Sequence, residues 1–469
     1  MAIAVTNPAT GEVLETFEEH DGAQVEERVA RAAAAHAQLR RTSLSRRAEW
    51  LRAAADVLDR DADEIARDMV LEMGKPITAA KAEVAKCAKG MRFYAGNAER
   101  FLADEELDAP AVGATRAYTR YQPLGVVLAV MPWNFPLWQV VRFMAPALMA
   151  GNAGLLKHSS NVPRTALRLE RVAREAGFPE GAFQALLVPS KQVEQILRDP
   201  RVAAATLTGS EPAGRSVASI SGDEIKPTVL ELGGSDPFVV LPSADVARAA
   251  EVGVTARCQN NGQSCIAAKR FIVHVDVYDE FVRRFVEGME ALRAGDPLEE
   301  STQLGPLYSV QGRDELHEMV QDARSRGARV LCGGEVPEGP GAFYPATAVD
   351  RVTPEMRLWA EEAFGPVATI HAAESAEEAL RLANDSPFGL GANVWADDPR
   401  DQELFVDGFE AGMVFVNGMV TSFPELPFGG VKRSGYGREL SAQGIRAFCN
   451  AKTVWVGDSS AGDASTKTE

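Results

Sequence analysis

Three side chains set far apart along the chain have types that could together run acyl chemistry. They are Cys265 in Gly262-Gln263-Ser264-Cys265, Glu231 in Glu231-Leu232-Gly233-Gly234, and Asn134 in Pro132-Trp133-Asn134-Phe135-Pro136. A thiolate is a soft nucleophile toward a carbonyl carbon, a carboxylate can take a proton from water, and a side-chain amide can hold a developing oxyanion. Taken singly, each has a plainer explanation. A lone cysteine is most often a small buried hydrophobe, an Asn between prolines is a turn former, and a glutamate sits on the surface. The other cysteines, Cys87, Cys258, Cys332 and Cys449, have no such company and are expected to be structural.

The segments around these residues alternate between strand and helix patterns. Short apolar runs recur at Gly125 to Met131, Gly154 to Lys157, Ala185 to Val188, Ala204 to Thr208 and Phe238 to Leu241. Helix-patterned stretches such as Arg164 to Glu175 and Gln192 to Arg198 separate them. That rhythm predicts a parallel, doubly wound sheet of the nucleotide-binding kind. Ahead of it, Ala23 to Ala37, Arg46 to Met73 and Ile77 to Asn97 read as helices, apart from an Asn7 to Gly11 turn, and Gly74-Lys75-Pro76 supplies a stop. Arg116 to Tyr121 suits an edge strand. After Gly234 the rhythm repeats, with helices at Asp245 to Cys258, Tyr278 to Arg293 and Asp314 to Arg326 and a strand at Phe271 to Val275. This predicts a second α/β domain carrying Cys265.

Glu231 follows the apolar Thr228-Val229-Leu230, so it is placed at a strand end, where partial burial would raise its pKa toward a range useful for a base. The loop Thr208-Gly209-Ser210-Glu211-Pro212-Ala213-Gly214 follows a buried strand and precedes a helix. Its small residues would let the backbone approach a pyrophosphate at the helix N-terminus.

At 469 residues the chain is long enough for two or three domains. A net charge of -17 excludes an extended nucleic-acid surface and an anionic membrane surface as partners. The longest apolar stretches are too short or too interrupted by Pro146, Gly151 and Asn152 to span a bilayer. Five scattered cysteines without a Cys-x-x-Cys pair fit neither a disulfide framework nor a metal cage, and a reducing cytoplasm suits a free thiolate. No signal or transit peptide is read at the start. Ser459 to Ser465, in the tail 459–469, lacks anything to bury and is expected to be disordered.

The Asn134, Glu231 and Cys265 segments, in their order along nearly the whole chain, resemble the aldehyde dehydrogenase superfamily. The resemblance implies an α/β fold in three parts: a Rossmann-type cofactor domain (1–104 and 124–231), an α/β catalytic domain (232–433) and a small β oligomerisation arm (105–123 and 446–458). It implies NADP or NAD as cofactor, an aldehyde as substrate and a homodimer or homotetramer. Cys265 would be the nucleophile, Asn134 the oxyanion donor and Glu231 the base for thioester hydrolysis. The cofactor would meet Trp133, Lys157, Ser160, Gly209, Ser210, Gly214, Leu232, Glu362 and Phe364. At Ser160, strictly NAD-dependent members tend to carry a glutamate that repels a 2'-phosphate, so NADP should be tolerated.

Around Glu231 and Cys265 the likeness is to a succinate-semialdehyde dehydrogenase branch. Arg142 and Ser422 match residues that hold a distal carboxylate there, a task suited to a guanidinium. A second arginine, expected six residues before the nucleophile, is Gln259 here. An Arg142 paired with a structural acid is the plainer alternative. The activity expected is thus oxidation of an aldehyde such as succinate semialdehyde. A broad aliphatic aldehyde dehydrogenase, or a catalytically silent cofactor-binding protein, is the competing expectation.

Overall fold

The structure, a computed structural model, describes residues 2–458. The tail at 459–469, expected to be disordered, lies outside the described residues.

Two mostly parallel sheets frame the candidate residues, the second with Arg329–Cys332 antiparallel to Thr347–Asp350. In the first, the strands run in the order Gly435–Tyr436, Thr228–Glu231, Val202–Thr208, Val126–Met131, Ala153–His158, Phe183–Ala185. All neighbours are parallel except Gly435–Tyr436, which joins antiparallel to Thr228–Glu231. Chain order reverses at Val126–Met131, and in open α/β sheets ligands collect beyond the carboxyl ends of the strands at such a switch point. The Asn134 loop and Gly209 leave the sheet there. Val126, Val127, Leu128 and Ala129 are fully buried, as befits a strand covered by helices on both faces.

The second sheet runs Arg329–Cys332, Thr347–Asp350, Val367–Ala373, Ala268–His274, Asp236–Val240, Gly391–Trp395, Met413–Val416. Its core is aromatic: Phe238, Phe271, Phe281 and Phe285 are all fully buried. Each such side chain contributes roughly 2 to 3 kcal/mol by leaving water. Cys265 lies just ahead of Ala268–His274, so the sheet anchors the nucleophile from its C-terminal side.

The N-terminal helices are Gly22–Leu39, Leu44–Arg60, Ala62–Met73 and Ile77–Phe101. The helix expected across Arg46 to Met73 breaks at Asp61, and the segment expected to hold only a turn forms a hairpin, Ile3–Thr6 with Val13–Phe17. Asp21 closes a capping box with Gln24, which satisfies donors at the start of the first helix. Arg116–Pro123 also differs from its expected edge position. It is the middle strand of a three-stranded sheet, between Glu105–Glu106 and Cys449–Val456. The edge is instead Cys449–Val456, where Trp455 stays exposed. Trp138–Ala150 is helical straight through Pro146 and ends at Gly151, whose φ of +99° suits a residue without a Cβ. No helix among the described residues is long and apolar enough to cross a membrane.

Candidate active site

The segment leading to Cys265 has an unusual backbone. Asn260, Asn261 and Gly262 all have positive φ, near +55°, +58° and +72°. Asn and Gly tolerate this region best, so the Asn-Asn-Gly run is what lets the chain turn so sharply. Asn261 is fully buried, with Nδ2 donating to the carbonyls of Gly74 (2.9 Å) and Pro306 (2.8 Å) and Oδ1 accepting from Gly305 N (2.7 Å). Asn260 Nδ2 donates to the carbonyls of Asn134 (2.8 Å) and Gln263 (3.0 Å). The nucleophile loop and the Asn134 loop are therefore tied directly together.

Asn134 is buried, and its Nδ2 donates to Gln263 O at 3.1 Å, which leaves a second N–H on the amide. Its loop is held from below by the helix Ile77–Phe101. Glu83 Oε1 accepts from the backbone N–H groups of Leu137 (3.0 Å) and Trp138 (2.8 Å), capping the helix Trp138–Ala150. Lys75 pairs with Glu83 and lies 4.3 Å from the centre of the Phe135 ring. None of this support is readable from the Asn134 segment alone.

Cys265 is half-buried and borders a cleft of about 280 Å³ that it shares with Trp133, Asn134, Gly209, Ser210, Leu232, Glu362 and Phe364. Burial pushes its thiol up to about 12, against the pull of the Lys269 and Arg142 cations. Lys269, itself buried, donates to the carbonyls of Ser264 and Cys265, each at 2.8 Å, and pairs with Glu362 at 3.1 Å. Gly234 N also donates to Glu362, at 3.2 Å.

Glu231 ends the strand Thr228–Glu231 and is buried, with neither carboxylate oxygen hydrogen-bonded to protein. A Cβ at Gly429 would stand 2.6 Å from its Oε1, so the glycine leaves the carboxylate room. Burial, and next the neighbouring Glu439, hold the Glu231 carboxyl well above the usual carboxylate range, with Arg142 opposing. Glu439 is likewise raised by burial. Two buried carboxyls thus share one guanidinium.

That guanidinium belongs to Arg142. It is buried, pairs with Glu439, and lies 4.3 Å from the centre of the Phe428 ring. Ser422 accepts from Lys86 Nζ at 2.7 Å and from Trp138 Nε1 at 2.9 Å. Neither Arg142 nor Ser422 borders the cleft, and Arg142 has a protein carboxylate as its partner, as in the plainer reading of its sequence.

The residues expected to meet a nicotinamide cofactor divide in two. Trp133, Gly209, Ser210, Leu232, Glu362 and Phe364 line the cleft. Phe364 stands edge-on to Trp133 at 5.7 Å, and Trp133 stacks on Tyr308 at 3.8 Å. Gly214 lets the helix Glu211–Asp223 close on Leu232, whose Cδ2 would stand 2.6 Å from an added Cβ. Lys157 and Ser160 lie outside that cleft, at and beyond the end of the neighbouring strand Ala153–His158. Lys157 is buried, no carboxylate among the described residues pairs with it, and burial lowers its pKa. The residues fit such a cofactor. Ser210 caps the helix Glu211–Asp223 without a side-chain bond to it, a Cβ at Gly209 would meet only Leu207 at 3.6 Å, and Lys157 offers an uncompensated cation.

Sequence reasoning missed Glu439, Lys269, Asn260, Asn261 and Lys86. Three of them left a signal: Lys269 stands beside Arg270 at the start of a strand that is apolar from Phe271 to Val273, and Asn260 and Asn261 belong to the turn signature Asn260-Asn261-Gly262 at an unexpected place.

The sequence model of the aldehyde dehydrogenase family matches residues 1–454. The chain is 62% identical over 465 residues to a succinate-semialdehyde dehydrogenase [NADP(+)] of Mycobacterium avium, covering 99% of this chain and 98% of that one. It is 61% identical over 456 residues to succinate-semialdehyde dehydrogenase [NADP(+)] 1 of Mycobacterium tuberculosis, covering 97% and 100%. Among solved structures it is similar to succinic semialdehyde dehydrogenase from Streptococcus pyogenes in complex with NADP+. There the TM-score is 0.94 at 38% identity, over 97% of this chain and 100% of that one.

Proposed function

The chain belongs to the aldehyde dehydrogenase family, and from that premise we propose that it oxidises succinate semialdehyde to succinate with NADP as the hydride acceptor. One observation carries the chemistry: a half-buried thiol and a side-chain amide border one cleft, with a buried, unbonded carboxyl at the end of an adjoining strand. The substrate and cofactor rest on the relatives named above, at about three-fifths identity over nearly the whole chain.

In this reading Cys265 adds to the aldehyde carbon as a thiolate, its proton having passed to water in the cleft, and a C–S bond forms as the C=O π bond breaks and charge moves to the former carbonyl oxygen. The remaining Asn134 N–H and the backbone N–H of Cys265 receive that oxygen. Trp133, Lys157, Gly209, Ser210, Glu362 and Phe364 would hold NADP, which would supply a two-electron acceptor for the hydride that leaves this carbon. The acyl group is then a thioester on Cys265. Water adds to its carbon, Glu231 takes the water proton, and the C–S bond breaks to free the acid and return the thiolate. Ser160, three residues after Lys157, carries no negative charge and would tolerate a 2'-phosphate on a cofactor held there.

Following reduced cofactor over a panel of aldehydes, with NADP and NAD in turn, tests the reading. Succinate semialdehyde should exceed butanal in kcat/KM by about 10-fold or more, the worth of one charge-assisted contact. Equal values would replace this substrate with a broad aliphatic one, which Gln259 and the Arg142–Glu439 pair would then explain. No reduced cofactor with any aldehyde would leave a cofactor-binding protein.

Assembly into a homodimer or dimer of dimers belongs to the same proposal. The outer edge of Cys449–Val456 carries exposed Trp455, and an unpaired apolar edge invites a second chain. Light scattering on the purified protein should give two or four copies. Placement in the cytoplasm is proposed on the free thiols alone.

A further inference from the structure

Two adjacent cations open the strand Ala268–His274, and they serve different ends. Arg270 donates to the carbonyls of Ser235 (2.9 Å), Leu382 (2.9 Å) and Ala383 (2.7 Å), none of which borders the cleft. Lys269 donates to the carbonyls of Ser264 and Cys265, each at 2.8 Å, and pairs with Glu362 at 3.1 Å. Cys265 and Glu362 both border the cleft.

The strand is irregular where Lys269 stands. Asp236 pairs with Ala268 and Pro237 with Arg270, so the register slips by one residue and Lys269 is passed over. A bulge re-aims a side chain, and bulges gather beside active sites. The glycines that follow Glu231 make room for the acceptors. A Cβ at Gly234 would stand 2.5 Å from Cys265 O and 3.1 Å from Asp236 Oδ1, and one at Gly233 would run into the Glu362 carboxylate. Lys269 and Gly234 N share Oε1 of that carboxylate, which leaves Oε2 for a ribose hydroxyl.

We propose that Lys269 is a positioning residue for the reaction: it ties the backbone of the nucleophile to the carboxylate that would hold the cofactor, and it keeps a positive charge against the nucleophile's own carbonyl. The inference rests on the roles proposed above for Cys265 and Glu362 and adds the group that couples them.

Burial is the largest influence on the Cys265 thiol and raises its pKa. Lys269 opposes burial more than Arg142 does, whereas Glu362 and Asp236 act with it. Burial also lowers Lys269 itself, with Arg257 acting the same way and Glu362, Asp236 and Cys265 acting against it. A thiol that loses a neighbouring cation gives up its proton at higher pH, so at any pH below its pKa it reacts more slowly.

The test follows alkylation of Cys265 by iodoacetamide against pH in the full-length protein, with the labelled peptide identified by mass spectrometry. The thiolate displaces iodide and the thiol does not. Lys269→Met and Lys269→Gln should move the profile up by about 1 unit or more, a roughly 10-fold slower reaction at fixed pH. The Gln side chain can still donate to a carbonyl, so this variant should resist chemical denaturation better than Lys269→Met. Lys269→Arg should restore the profile. Glu362→Gln keeps Lys269 and removes a charge that offsets it, so the profile should move down. In turnover, Lys269→Met should raise KM for NADP about 10-fold, the worth of a hydrogen bond to a charged group.

A profile unmoved in Lys269→Met and Lys269→Gln makes Lys269 a purely structural cation and overturns the proposal. Should neither variant fold, an unmoved profile in Glu362→Gln does the same. An unchanged KM for NADP in Lys269→Met overturns the tie to Glu362. A natural protein that reduces no cofactor with any aldehyde overturns the functional reading instead, while the alkylation profiles still decide the role of Lys269.

Discussion

The turn before Cys265 and the pocket behind Glu231 are built on opposite principles. In the turn, amide groups are engaged: Asn261 makes three hydrogen bonds to backbone, and Asn260 binds the Asn134 loop to the nucleophile loop. Behind Glu231, both of its carboxylate oxygens lack hydrogen bonds, and so does Glu439 Oε1. The hydrogen bonds of Asn260 and Asn261 hold the nucleophile loop and the Asn134 loop to a fixed geometry, whereas an unbonded carboxyl keeps lone pairs free for water and protons. One side supplies position and the other supplies titration.

The strongest way to break that division is at the sulfur. Cys265→Ala should reduce kcat by at least about 10⁴-fold, the usual scale for losing a covalent nucleophile. NADP binding, followed by quenching of protein fluorescence, should persist. Glu231→Gln should keep a burst of about one reduced cofactor per site while steady turnover falls about 10²- to 10⁴-fold. Rapid mixing with absorbance at the reduced-cofactor band separates the two phases, and unchanged steady turnover would remove Glu231 as the hydrolytic base.

Asn261→Ala sharpens the other side. It leaves two buried carbonyls and a buried N–H without partners and puts a Cβ-bearing residue less tolerant of αL at a positive φ. A stability loss of about 3 kcal/mol follows, readable by chemical denaturation. Activity should fall with it because the Cys265 sulfur is no longer held. Glu439→Gln is the mildest change. Removing that negative charge takes away a force that raises Glu231, so Glu231 should ionise at lower pH. The acid limb of the kcat profile should therefore move toward lower pH, and a shift in the opposite direction would break the proposed contact between the two carboxyls.

Much of this was legible in advance where the signal is local. The apolar run ending at Met131, the small residues of Thr208 to Gly214 and the helix pattern at Asp245 to Cys258 are patterns of neighbouring residues, and each forms the element expected. The opening hairpin was not legible, because the tertiary sheet register rather than hydrophobic periodicity defines so short a pair. Arg116–Pro123 reads as an edge until Glu105–Glu106 and Cys449–Val456 flank it. Of the residues matched to the family's carboxylate pocket, Arg142 was readable as a guanidinium but not as one already paired. Its partner lies almost 300 residues away, in Gly437-Arg438-Glu439.

Residue types and local spacing were enough to predict the α/β class and to mark a thiol, an amide and a carboxyl as candidates, since each depends on chemistry within a few positions, whereas their joint role and that of the cofactor loop rested on the resemblance of several segments to one family. The electrostatics of the site were decided only in three dimensions. Which cation meets which anion, which carboxyl is lifted by burial, and which ammonium is left without a partner depend on distances between distant segments and on exclusion of water. Neither quantity exists until the two sheets have closed around Cys265.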